Sequence, residues 1–178
     1  MRLKFLGGWL GRPSIPASKP PAAAPEDAES QFALGQRFDG PAVTGHDYAQ
    51  AALWYLKAAV QGHRVAQFNL GMMYGQGKGV LRNQITAAMW LAKAAELGHA
   101  GAQYHIGIRR HRAGKSGSVP DASECRIESL KWLQLSVAQG YPGAESAREF
   151  VVLEMTSEEA HEGGRRAAGF VVVHGSAA

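Results

Sequence analysis

Four features of this 178-residue chain could do chemistry: Cys125, seven histidines, a glycine run at 75–79 and a basic cluster at 109–115. A thiol at a helix start gains thiolate character from the helix dipole, but nucleophilic catalysis also needs a base in reach. No histidine stands near Cys125 in sequence, so a packed or incidental thiol is the expectation. His63 and His99 share a regular place, 36 positions apart, and Tyr141 fills the next one. Metal ligands must converge within a few ångströms, whereas repeat-related residues lie one structural unit apart, so the pair reads as packing or turn residues. His46, His105, His111, His161 and His174 show no ligand spacing.

The run Gly75-x-Gly77-x-Gly79 invites a phosphate-cradling reading, which requires a strand before it and a helix opening inside it. Here a helical pattern precedes it, so the glycines are expected to form a turn. Arg109, Arg110, Arg112 and Lys115 lack the interleaved aromatics on which bases stack, which argues against nucleic acid. They suit a helix C-terminus, with a docking patch for an acidic partner or anionic headgroups as the sharper alternative. No paired carboxylates or nucleophile–base couple accompanies them. The expectation is a non-enzyme with no catalytic residue, metal or cofactor.

The elements that would position these residues are repeated. The stretch ALWYLKAAVQGHRVAQFNLG at 52–71 recurs as AMWLAKAAELGHAGAQYHIG at 88–107. Trp54 and Trp90 are 36 positions apart, and Trp132 follows after 42, so six residues are inserted, expected in a loop at 112–122. Glycines 62, 98 and 140 stand eight after each tryptophan, and Ala66, Ala102 and Ala144 twelve after. Ala51, Trp54 and Ala58 share one helical face, as do Ala66, Leu70 and Tyr74 on the next helix, with Gly71 allowing close backbone approach. Asp47 and Asn83 are N-cap candidates, with Ser123 or Asp121 in the third unit. The glycines after each tryptophan suit left-handed helix ends. Thr156 and Glu159 form a capping box for a helix from about Ser157 to Ala168.

Ala66, Leu70, Gly71, Tyr74, Gly77, Gly79, Val80, Ala87, Trp90, Lys93, Ala94, Ala95, Gly98 and His99 resemble the Sel-one-like repeat family, a relative of the tetratricopeptide repeats. The resemblance covers about residues 28–153. It implies an all-α fold, an α-solenoid in which antiparallel helical hairpins wind into a right-handed superhelix, used as a protein-binding scaffold. By the same analogy the concave groove is lined by the first helix of each hairpin. That places Phe32, Gln36, Phe68, Asn69, Met72, Tyr104, His105 and Ile108 at the partner, with Phe68 and Tyr104 equally suited to the core. The fold-level analogy implies a partner peptide or helix of unknown identity. Some secreted members carry a disulfide in each repeat; one cysteine does not supply that pattern.

Residues 1–27 read as a disordered, basic, Pro/Ala-rich segment, 28–153 as three to four repeats, 154–170 as a capping helix and 171–178 as a flexible tail. The net charge of +4 is a weak field for nucleic acid. A lone cysteine fits the cytoplasm. The apolar run Phe5–Leu10 is short for a secretory signal, so export to the periplasm is the alternative, as is a membrane-surface adaptor or enzyme regulatory subunit anchored by this segment.

Overall fold

A computed structural model describes residues 26–40, 47–117 and 121–172. The expectations for residues 1–25 and 173–178 lie outside these. Eight helices occur among the described residues: α1 (Ala28–Asp39), α2 (Tyr48–Val60), α3 (Arg64–Gln76), α4 (Gln84–Glu96), α5 (Ala100–Lys115), α6 (Ala122–Ala138), α7 (Ala144–Val152) and α8 (Ser157–Ala168). No strand is found among them. Consecutive helices pair from α1 to α7, giving the hairpins α1–α2, α3–α4 and α5–α6 and a further helix, α7, on α6. The last helix, α8, folds back on α6.

Within every hairpin a glycine sets the crossing distance. A Cβ at Gly35 would stand 2.6 Å from the Tyr55 ring, at Gly71 2.9 Å from Leu91 Cγ, and at Gly107 2.7 Å from Leu133 Cγ. Real side chains do not approach so closely, so each first helix seats the residue after the repeat tryptophan directly on its backbone. The closing helix uses the same device, with Gly163 over Leu130. Around these crossings Ala51, Ala58, Ala66, Ala94, Ala95 and Ala102 are essentially inaccessible, as the alanine columns require.

Helix ends follow the sequence signals. Asp47 and Asn83 accept from the first-turn amides of α2 and α4, and Gly62, Gly98 and Gly140 have φ of 86°, 78° and 69°. In the third unit Asp121 is the cap. The six inserted residues do not form a longer loop. They are absorbed as helix, α5 and α6 having 16 and 17 residues where α3 and α4 have 13 each. Helical hydrogen bonds and extra contact between α5 and α6 make this the more favourable use of an insertion.

Buried polar side chains are tied into the repeat. Gln67 and Gln103 donate to the carbonyls of Ala59 and Ala95. Ser129 and Ser136, standing in alanine columns, donate to the carbonyls of Gly107 and Ala100. The side-chain oxygens of Gln31 and Gln103 accept from Gln61 and Gln139. In the middle unit the equivalent of those two donors is Leu97, and Gln67 Oε1 is buried without a partner. Leu97→Gln is therefore expected to complete the set and raise stability by about 1 kcal/mol. Urea unfolding checks this; an unchanged or lowered midpoint would contradict it.

Candidate functional site

Cys125 is buried at the foot of α6, where Gly114 of α5 leaves room for its side chain. Among the described residues no group of three or more His, Cys, Asp or Glu could hold a metal ion. His63 and His99 are helix caps: each Nδ1 accepts the amide three residues on, from Ala66 and Ala102. Each ring also stacks on the aromatic residue of the preceding first helix, His63 on Phe32 and His99 on Phe68, both at 4.3 Å between centroids. Tyr141 continues the column against Tyr104 at 5.3 Å. Gly75 of the glycine run lies in the last turn of α3, and Gly77 and Gly79 form the turn after it; a Cβ at Gly79 would strike the backbone of Tyr48. The basic cluster is dispersed, Arg109 donating to the Gln84 carbonyl and Lys115 to Glu154.

The residues expected to line a groove on the first helices fare unequally. Phe32 is 8% exposed and belongs to the core beside Tyr55. Phe68 and Tyr104 are half-buried and committed to the stacking column, with His105 against both. Met72 packs against the cluster built on Leu91, Ala94 and Ile106. Asn69, His105 and Ile108 are half-buried and Gln36 is exposed. The physical reason is the histidine cap: its ring lies over the preceding aromatic, so this column joins unit to unit.

A different surface carries the recurring cavities. Ala52, Leu56, Leu70 and Tyr74 line a cleft of about 240 Å³ between α2 and α3. Thirty-six positions on, Ala88, Ala92, Ile106 and Arg110 line one of about 500 Å³, which reaches Trp132 of α6. Forty-two further on, Leu130, Gln134, Arg148 and Val152 line one of about 620 Å³. One cleft thus recurs three times on the side of the second helices. With residues turning about 100° apiece, Leu70 and Tyr74 lie on the far side of α3 from Asn69 and Met72. The clefts are open at their edges: Leu53 is 54% exposed at the first and Met89 46% at the second, where Glu96, Arg109, Arg110 and Glu128 stand beside it, and Val60 on the same helix as Leu53 is 66% exposed. Sequence reasoning missed this face, although the spacing of Ala49, Leu53, Leu56 and Val60 by fours and threes was a signal.

The fold defines a helical-repeat solenoid. The family model of the Sel1 repeat matches residues 28–63, 64–99 and 100–141, and the chain belongs to the Sel1 repeat family. These proteins are generally protein–protein interaction scaffolds. Among solved structures the chain is similar to a protective antigen of uropathogenic Escherichia coli strains displaying an SLR fold, at 26% identity and TM-score 0.65 over 81% of this chain and 30% of that one. It is also similar to a Sel1 repeat protein from Oxalobacter formigenes, at 28% identity and TM-score 0.60 over 76% and 52%. The chain therefore spans about a third and about half of these relatives. No curated protein sequence matches it. No helix among the described residues is long and apolar enough to cross a membrane.

Charge latches the last helix. Glu159 of α8 accepts from Arg126 and Ser123 of α6 and completes the capping box with Thr156, and Arg166 reaches Glu124 and Glu128. Hydrogen bonding from Arg126 holds the Glu159 carboxyl down to about 2. Burial lowers the pKa of His99, of His105 and of His111, whose ring lies beneath α7 with Glu154 at 3.5 Å. For each histidine the unfolded chain takes up its proton first, so stability falls as pH drops through 6.5. Glu159 stabilises above 4.5, and that contribution is lost as pH falls towards 2. Melting followed against pH is expected to show Tm falling first below about 6.5 and again below 4.5, the second fall being smaller in Arg126→Gln. A constant Tm from pH 7 to 4 would contradict these assignments.

Proposed function

We propose that the chain is a non-catalytic scaffold that holds a protein partner on the second-helix side of its solenoid. The observation that carries this reading is the threefold recurrence of one cleft with apolar residues at equivalent positions, because a single extended or helical segment laid along the row would meet related surfaces in successive units. Aliphatic side chains at the rim supply anchoring area that is lost from water on contact, and Arg110 and Arg148 supply charge at the second and third stations. Monomeric proteins rarely leave large contiguous apolar patches open without a use.

The first-helix side is the second candidate, since Gln36, Asn69, His105 and Ile108 retain polar and apolar exposure there. Affinity capture from the native host separates the two. Leu53→Glu with Val60→Glu is expected to lose the captured partner with the fold intact by circular dichroism, whereas Gln36→Arg is expected to retain it. Retention by the first variant and loss by the second would move the partner to the first-helix side. Retention by both would place the partner on neither tested face and overturn the second-helix reading, and capture of no protein by the unaltered chain would overturn the scaffold reading.

A further inference from the structure

The second cleft is not fully open, and what stands at its margin is the chain itself. After Gly169 caps α8, residues 170–172, neither helix nor strand, lie against α6 and the end of α4. Phe170 meets Trp132 edge-on at 5.3 Å and joins the cluster that contains Leu91 and Ala92; Trp132 and Ala92 both line the second cleft. Val172 sits over Gly98, where an added Cβ would be 3.1 Å from its Cγ2. Between them Val171 points outward and is 79% exposed. Alternate residues facing in and out is the signature of an extended strand lying on a surface. The expectation of a free tail from residue 171 missed this contact.

The seat under Val172 recurs. Gly62 and Gly140 occupy the same column as Gly98, and around each of them an added Cβ would meet nothing within 4 Å. One unit of the row therefore holds an apolar segment, and its equivalents stand open beside Val60 of α2 and after α6. A surface shows by what it already holds which chemistry it accepts. Here that is a short segment with an aromatic side chain and a branched aliphatic one two positions on.

We propose that the second-helix side is a docking surface for an extended partner segment with apolar side chains at alternate positions, and that Phe170–Val172 covers the margin of its middle cleft in cis, against Trp132 and Gly98, until the partner displaces it. The inference rests on the scaffold reading and adds to it the conformation of the ligand and an internal competitor. A cis occupant lowers the apparent affinity of anything that needs the same seat, by the fraction of time the seat is free.

The test uses the full chain and a fluorescein-labelled peptide with the sequence of residues 168–174. In Phe170→Ser/Val172→Ser the strap is weakened at the chain end, and fluorescence anisotropy is expected to show the peptide binding about tenfold more tightly than to the unaltered chain. Adding Met89→Glu, at the rim of the second cleft, is expected to abolish the gain. Val172→Ser alone, checked by thermal melting, serves if the double variant does not fold, and is expected to give a smaller gain. Equal binding to altered and unaltered chains, or a gain that survives Met89→Glu, would overturn the proposal. So would dimerisation of the released variant in sedimentation without peptide binding, which would make a second copy the occupant. Should capture of the host partner depend on Leu53 and Val60 while the peptide fails to bind, the scaffold reading stands and the strap inference falls.

Discussion

At each hairpin crossing a helix backbone carries the full weight of a large side chain. Gly35 lies under Tyr55, Gly71 under Leu91 and Gly107 under Leu133. A methyl group at any of these places would force the two helices apart by an amount the alanine columns beside them could not fill. The repeat is thus built from paired demands, one for nothing and one for bulk, and the second-helix positions inherit their orientation from that contact. Gly163 over Leu130 extends the rule to the closing helix, which comes from outside the regular array.

The clefts are a consequence. Because the glycine contact draws each first helix towards its own second helix, the space between neighbouring second helices is left to be floored by residues such as Leu70 and Ile106. The walls then vary by unit. The first station is lined by aliphatic and aromatic residues, the second adds Glu96, Arg109, Arg110 and Glu128, and the third adds Arg148 and Glu149. One geometry repeated with graded chemistry is how a solenoid can read a long segment with a direction. The strap from α8 enters this row at its middle, so the helix that shields the end of the array also delivers an apolar segment to its surface.

Much of this could be read from the chain beforehand. The tryptophan spacing, the caps at Asp47, Asn83 and Thr156, the glycine turns and the limits of α8 all depend on local rules, and local rules are written in adjacent residues. The inserted residues were harder, because whether six residues lengthen a loop or two helices depends on what α5 and α6 gain by packing over the extra turn. The groove residues were harder still. Phe32, Phe68 and Tyr104 recur as regularly as any ligand-contacting column would, and the signal that they stack beneath His63, His99 and Tyr141 was visible as a second column at the same period. Periodicity identifies that a position has a repeated role without saying whether the role faces inward. The strap had no local signal at all, since Val172 finds Gly98 across more than seventy positions of sequence.

The glycine contact can be measured against an internal control on the same helix. Gly71 and Gly75 both lie in α3, but a Cβ at Gly75 would make only ordinary contact, 3.7 Å from Ala87 Cβ. Helix propensity favours alanine over glycine by roughly 1 kcal/mol at either place. In urea unfolding, Gly75→Ala is expected to stabilise the chain and Gly71→Ala to destabilise it. If both substitutions stabilised it alike, the close approach of Leu91 to the backbone of α3 would not be the constraint on which the hairpins rest.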